Sequence, residues 1–531
     1  MTQTSADIIA DRLFEAGVRH AFGVPGGEVL HLIDALSRRG IEFVLARHEN
    51  AAGFMAEGAW HATGAPGVLV TTVGPGMANT VNVVANAEQD RVPLIVLTGA
   101  YDETTTLRYT HQIFDHRAVL APLVKRTFEA RRNGCDVMVD KAVRLACDPQ
   151  PGPVHIDLPI GVATAEHKPA RADRIAALAP VAPAGLDQAR ERLASAKRPL
   201  IVAGLDVLES TTGVEVLRDL SAKHSIPVVT TYKAKGVIDE MGPLSLGGHG
   251  LSPKADKIVT PLLSEADFVI CAGYDPIEMR PGWQDPWDPA NAIEFTLAPN
   301  RQAMHEVSQS WVCDPGLGLS ALFADSAPAS EWGGRIEAAR AALKDAFAPT
   351  QDWGPSNALH VLNEARPAEL MVSIDSGAHR ILMSQLWTST LPHRLIQSTG
   401  LCTMGCALPL ATGHAIASGE RTMAVMGDGC LDMIMGELAT LRDTAAPVIC
   451  TVLNDSSLSL IELKQRRDGK QNTGVDFGAT DYAALGTALG LTSLKATDAD
   501  SLQTAFAEAL AATGPVLLEI VIPRRGYDTL I

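Results

Sequence analysis

Aromatic residues are scarce in this chain, at 5% of 531 residues, although hydrophobic residues as a class reach 46%. The apolar content therefore rests on Ala, Val, Leu and Ile, which suits strands alternating with helices and excludes a disordered or fibrous chain. No stretch approaches the run of about eighteen uninterrupted apolar residues that a membrane span needs. Basic clusters are also missing. With a formal charge of −17, the chain has nothing to offset the repulsion of nucleic acid or an anionic membrane, so neither is an expected partner. None of the eight cysteines forms a CxxC pair, and no His or Cys cluster completes a zinc site around Cys402 and Cys406. Cys271 and Cys450 lie within apolar strand-like runs. Free buried thiols in a reducing compartment are the expectation. The opening MTQTSADIIADRLFEAG carries acids early and lacks a basic-then-apolar signal pattern. A soluble, cytoplasmic protein is expected.

What is present is strand-helix alternation, in three blocks. A chain of this length predicts about three domains. The first block, 1–165, runs from a helix near Ala6–Ala16 through strand-like HAFGV, EFVLA, GVLVTT and PLIVLTG to GPVHIDLPIG. An Ala- and Pro-rich linker follows, over His167–Gly185. The second, 185–325, contains PLIVAG, IPVVTTY and ADFVICAGYD, and SAPASEWGG is the next linker candidate. The third, 350–531, contains ELMVSIDSG, AVMGDG, APVICTVL and PVLLEIVI. Such alternation predicts three consecutive α/β domains with parallel sheets. The first and third blocks are alike in size and pattern, without a repeat in the sequence itself.

The most specific segment is AVMGDGCLDMIMGELATLRDTAAPVICTVLND, a GDG-x24-N pattern. Two apolar strands flank helix-like LDMIMGELATLR, which places Asp428 and Asn454 at the carboxyl ends of strands, where open α/β sheets bind ligands. One carboxylate, one amide oxygen and nearby main-chain carbonyls form a hard-oxygen set suited to Mg²⁺ and a diphosphate. Gly427 and Gly429 let the backbone come close to that diphosphate. Other candidates have plainer readings when taken singly. Glu49 opens an Ala- and Gly-rich helix, where an acid also complements the helix dipole. Pro25-Gly26-Gly27 and Gly74-Pro75-Gly76 end strands, as ordinary turns do. Thr110-His111-Gln112 and Asp115 lie in a segment without firm periodicity. Asp375-Ser376-Gly377, before His379, has the form of an anion-accepting helix start. Met404 alone reads as a core methionine.

Together, ARHENAAGFMAEG, TTVGPGMAN, GLCTMG and GDG-x24-N, in that order over essentially the whole length, resemble the thiamine diphosphate (ThDP) enzymes of the acetolactate synthase and pyruvate decarboxylase superfamily. The details RYTHQIFDH, AGYDPIEM, SGAHRILMSQLW and LNDSSLSLI look most like the FAD-independent, catabolic acetolactate synthases. AGYDPIEM stands where the FAD-containing synthases carry an arginine-bearing segment, so no flavin is expected.

The resemblance implies a pyrimidine-binding, a central and a diphosphate-binding domain. Glu49 would hydrogen-bond the aminopyrimidine and promote removal of the thiazolium C2 proton. Met404, with Cys402 beside it, would buttress the cofactor. Asp428, Asn454 and the main-chain oxygen of Ser456 would hold Mg²⁺. Ser376, His379, Gly427, Gly429 and Cys430 would meet the diphosphate, although the subgroup often has a small hydroxyl residue at position 430. Gln112 and His111 would face the substrate, and Gly27, Leu460 and Lys464 would border its pocket. Lys464 replaces the tryptophan common in the FAD-containing synthases and would hold an anionic group only if it points inward; a solvated lysine is the simpler expectation. The family places Glu49 and the GDG unit of one site on different subunits, which implies a homodimer at minimum and allows a homotetramer. The expected activity is a decarboxylating carboligase acting on pyruvate or a related 2-oxo acid. The alternatives are a decarboxylase or C–C lyase releasing an aldehyde, against which the lack of an adjacent histidine pair speaks, and a non-catalytic ThDP-binding subunit.

Overall fold

The computed structural model describes residues 3–169, 179–275, 277, 279–300, 303–324 and 328–531. Parts of the two linkers, and Pro276 and Glu278 of AGYDPIEM, lie outside the described residues.

Three six-stranded sheets follow one another along the chain. The first contains β1 (His20–Val24), β2 (Glu42–Leu45), β3 (Gly67–Thr71), β4 (Leu94–Ala100), β5 (Arg126–Glu129) and β6 (Val154–Pro159), in the order β2-β1-β3-β4-β6-β5. The central sheet contains β7 (Pro199–Ala203), β8 (Val228–Thr231), β9 (Ser245–His249), β10 (Phe268–Ala272), β11 (Ala292–Thr296) and β12 (Gln309–Val312), in the order β9-β8-β7-β10-β11-β12. The third contains β13 (Met371–Ile374), β14 (Leu395–Gln397), β15 (Thr422–Gly427), β16 (Val448–Asn454), β17 (Thr492–Ala496) and β18 (Val516–Val521), in the order β14-β13-β15-β16-β18-β17. Every pairing in all three sheets is parallel. The first and third domains thus share one strand order, a likeness absent from the sequence. The fold class expected from the alternation is the one observed.

In both outer sheets the chain leaves the neighbouring strands β1 and β3, or β13 and β15, toward opposite sides. That reversal opens a crevice beyond their carboxyl ends. In the third sheet the crevice lies between Asp375-Ser376-Gly377 and Gly427-Asp428-Gly429, so the topology brings the two sequence motifs together.

Four helices matter for the site: α1 (Glu49–Thr63), α2 (Ala378–Leu386), α3 (Ala407–Ser418) and α4 (Asp428–Ile434). Helices α1 and α3 join the outer domains at backbone contact. A Cβ on Gly58 would strike the Leu410 carbonyl, and one on Gly413 would strike the Met55 carbonyl. Around that contact one hydrophobic core takes in Phe22, Phe54 and Met55 of the first domain with Met371, Ile396 and Leu410 of the third. All three domains meet at Asp90. Its buried carboxylate accepts from Lys233 Nζ of the central domain at 3.1 Å and from Thr399 Oγ1 of the third at 2.5 Å.

Helix-like LDMIMGELATLR is not one helix. It breaks between α4 and a second helix at Glu437–Thr444, because Gly436 lies on the Arg47 side chain and Glu437 turns to accept the amides of Arg47 and His48. Six strands of these three sheets went unread in the sequence: β5, β9, β11, β12, β14 and β17. Five are edge strands, glycine-rich, very short or half exposed, and so lack a continuous apolar run. The sixth, β11, is fully buried but carries Glu294, whose charge interrupts the pattern. Among the described residues no helix is long and apolar enough to cross a membrane. All eight cysteines are free, with Cys271 and Cys450 buried.

Candidate active site

At the third-domain rim, Asp428 follows β15 and opens α4. Its Oδ1 accepts from the Gly429 amide at 2.7 Å, and its Oδ2 from the amides of Asp455 and Ser456 at 3.0 and 2.6 Å. Burial pushes the Asp428 carboxyl up to about 6, against the pull of those amides. Burial likewise lifts Asp455 to about 7, where the charge of Asp428 adds to the effect. Two carboxyls raised side by side form a locus that a hard cation would relieve.

Asn454, at the end of β16, donates through Nδ2 to the Thr480 carbonyl at 3.0 Å and to Glu519 Oε1 at 2.7 Å. Both partners are acceptors, which fixes the amide and leaves Oδ1 for a ligand. Ser456 adopts φ 56°, and its carbonyl accepts only a 3.3 Å bond from the Phe477 amide. A carboxylate, an oriented amide oxygen and a carbonyl fit Mg²⁺ chemistry. Among the described residues no group of three or more His, Cys, Asp and Glu side chains forms a metal site of another kind.

Beside this set, Ser376 Oγ and His379 Nε2 are buried without a hydrogen-bond partner. Orphaned polar atoms in a protein interior cost stability unless a ligand satisfies them. Burial, and secondarily the neighbouring Arg380, lowers His379 to about 3, so its ring is neutral. It lies against Gly377 and Gly427, where a Cβ would come within 2.7 and 3.5 Å of the ring. The rim therefore fits the diphosphate end of ThDP. Cys430 does not aim its thiol there. Its Sγ donates to the Ser376 carbonyl at 3.2 Å, so only its backbone faces the rim.

The Cys402–Met404 loop is tied to this rim by Asp375. The fully buried Asp375 carboxylate accepts from the amides of Ser376, Gly405 and Ala407 at 2.8, 2.9 and 3.0 Å. Met404 is partly buried against the core beneath α4. Cys402 adopts φ 55°, donates to the Thr399 carbonyl at 2.8 Å and accepts from Arg380 at 3.1 Å, so its thiol is engaged within the loop.

The first-domain rim holds a second group. Glu49 begins α1, is 8% exposed, and accepts from Asn79 Nδ2 at 2.9 Å. A Cβ on Gly76 would lie 3.4 Å from Glu49 Oε1. Gln112, at φ 61°, and His111 are both exposed, and a Cβ on Gly74 would strike the Gln112 carbonyl. Gly27 is exposed after β1. Leu460 is half-buried against Tyr232, Leu251 and Ile381, whereas Lys464 is exposed. The structure thus gathers Asp428, Asn454, Ser456, Ser376 and His379 at one rim, sets Glu49 with Asn79 and Gly76 at another, and leaves Lys464 toward solvent.

Several supporting residues were not singled out in the sequence: Asn79, Glu437, Glu519, His116 and Asp157; Asp375 was, but only as part of a turn. Asn79 closes the quoted TTVGPGMAN segment, and Asp375 sits inside the predicted turn. For these two, the signal was a polar residue next to a glycine turn.

Residues 3–119 match the N-terminal TPP binding domain model of the thiamine pyrophosphate enzymes, residues 186–322 the central domain, and residues 375–520 the C-terminal TPP binding domain. The chain belongs to the thiamine pyrophosphate enzymes. It is similar to acetolactate synthase of Bacillus subtilis (strain 168), at 29% identity over 532 residues, covering 97% of this chain and 93% of that protein. It is 28% identical over 540 residues to the acetolactate synthase isozyme 1 large subunit of Escherichia coli (strain K12), with 98% and 94% covered. A probable acetolactate synthase large subunit of Methanocaldococcus jannaschii is 29% identical over 553 residues, with 97% and 91% covered. Within the thiamine pyrophosphate enzymes this is an acetolactate synthase-like, ThDP-dependent enzyme.

Proposed function

We propose that this protein decarboxylates pyruvate, or a closely related 2-oxo acid, and joins the remaining fragment to a second carbonyl compound, with ThDP and Mg²⁺ as cofactors. The observation that carries the reading is the rim where Asp428, Asn454 Oδ1 and the Ser456 carbonyl stand beside the orphaned Ser376 Oγ and His379 Nε2. ThDP supplies a carbanion-forming carbon and an electron sink for loss of CO₂. The protein's part is to hold the diphosphate through the cation and the rim, and to place a carboxylate, Glu49, at the pyrimidine end. Gln112, whose carbonyl lies against the Gly74 turn, is assigned the task of orienting the substrate at the same end.

A homodimer is part of the proposal. Exposed apolar side chains near the rims support a covering partner: Leu30, Leu45, Leu107, Tyr109 and Met433. No flavin is included. At the central sheet's reversal point between β7 and β10, a Cβ on Gly204 would strike the Gly273 carbonyl, and Asp275 is tied to Arg91 of the first domain at 2.8 Å.

The test is product analysis with pyruvate alone, plus ThDP and Mg²⁺. The expected product is 2-acetolactate with CO₂. Free acetaldehyde would identify a decarboxylase instead, and no turnover across a panel of 2-oxo acids would sink the proposal.

A further inference from the structure

We propose that His116, held by Asp157, is a positioning residue that fixes the Gly74–Gly76 turn between Gln112 and Glu49. This rests on the reading of Glu49 given above. His116 opens the short helix His116–Leu120 and is 4% exposed, and Asp157 lies on β6. The Gly74 amide donates to His116 Nε2 at 3.1 Å, and His116 Nδ1 lies 2.9 Å from Asp157 Oδ1. An Nε2 that accepts carries no proton, so the neutral ring's hydrogen is on Nδ1 and points at the carboxylate. Asp157 thereby selects the tautomer that can receive Gly74. The carboxylate is itself held in place. Burial opposes its charge, but the hydrogen bonds from His116 and His155 outweigh that and hold it down at about 2.

Gly74 needs this anchor because of its surroundings. Its φ is 63° and ψ −105°, a conformation open to glycine alone, and the Gln112 carbonyl presses where a Cβ would be. Gln112 is itself at φ 61°, so two positive-φ backbones face each other across this contact. Two residues on, Gly76 lies against Glu49 Oε1, and Asn79, at the end of the same turn, donates to Glu49 Oε2. One backbone amide thus sets the mutual position of the acid and the substrate-facing glutamine, and its acceptor is a side chain from a different segment.

The test compares the full-length parent with His116→Phe and His116→Gln. Hydrogen-exchange protection of the Gly74 amide is read on ¹⁵N-glycine-labelled protein without cofactor. ThDP C2–H exchange, kcat and KM for pyruvate are read with ThDP and Mg²⁺ added. The phenylalanine variant is expected to lose Gly74 protection about 10-fold and to slow C2–H exchange and kcat by roughly 10- to 100-fold, with KM and ThDP affinity within about 3-fold. Glutamine, whose carboxamide can offer Gly74 an acceptor and Asp157 a donor, should restore most of both. Parental protection and exchange rates in His116→Phe would overturn the proposal, as would a glutamine variant no better than phenylalanine. If the phenylalanine variant does not fold, His116→Asn, too short to reach Gly74, replaces it with the same expectations. A parent that exchanges no C2–H would refute the reading of Glu49, whereas Gly74 protection in the same samples would still decide the role of His116.

Discussion

The carboxylate of Glu49 accepts a hydrogen bond from the side-chain amide of Asn79 at 2.9 Å, joining the first residue of one helix to the turn that follows β3. The bond occupies Oε2 and leaves Oε1 free beside Gly76. Glu49→Gln should keep ThDP affinity within about an order of magnitude while slowing C2–H exchange by roughly 10²- to 10⁴-fold. Asn79→Ala should slow it less, by roughly 10-fold, because the acid remains but is no longer aimed. NMR-detected C2–H exchange measures both, and parental rates would refute these roles.

Asn454 points its oxygen at the rim only because Glu519 and Thr480 accept both of its amide hydrogens. Asp428→Ala should weaken Mg²⁺-dependent ThDP binding directly, and Glu519→Gln should weaken it by roughly 10-fold through the freed amide. Metal titrations followed by ThDP fluorescence quenching distinguish the two, since the Glu519 variant should recover at high Mg²⁺.

If Glu49 and Asp428 of one site come from two chains, inactive variants should rescue each other. Mixing Glu49→Gln and Asp428→Ala proteins after dissociation and reassociation should restore about one quarter of parental activity, because half of the dimers are mixed and each carries one intact site. No recovery above the separate variants would place both residues in one chain's site.

Glu57, buried in α1, has its carboxyl pushed up to about 8, chiefly by burial and then by the charge of Asp90, with Lys233 and Asn86 opposing. The folded chain keeps a proton that the unfolded chain loses above about pH 4.5, so rising pH removes stability until about 8. Burial lowers His61 to about 3 and His393 and His414 to about 4, which makes stability rise with pH up to about 6.5 and masks the effect there. Between about pH 6.5 and 8 the parent should lose up to about 1.4 kcal/mol per unit that Glu57→Gln does not. Thermal midpoints of the two proteins across that window provide the check, and parallel curves would contradict it.

The residues legible in the sequence were those whose chemistry is written in contiguous segments. Strand, glycine turn and helix stand side by side in AVMGDGCLDMI, so Asp428 and its rim could be placed before any fold was known. Asn454 followed because the length of a crossover is constrained. Asn79 was inside a quoted motif, yet its partner lies thirty residues away and only folding brings them together. Asp375 was taken as part of an anion-accepting turn, but its carboxylate faces inward and holds the Met404 loop by main-chain amides, an interaction with no side-chain signature. His116 and Asp157 are hidden for the same reason, since the group they serve is a backbone N–H. Edge strands such as β12 and β17 escaped because burial on one side leaves too little apolar pattern. The strand order shared by the outer domains belongs to topology, which composition does not record.

Gly58 and Gly413 press each helix onto the other's main chain, with no side chain between them. A joint of that kind has no rotamers to exchange and no cushion to compress, so the outer domains of one chain are mated like machined faces. Breathing of the molecule must then originate in the glycine turns and, in the proposed dimer, in the seam between chains, and substitutions that speed or slow product escape should map there rather than to α1 or α3.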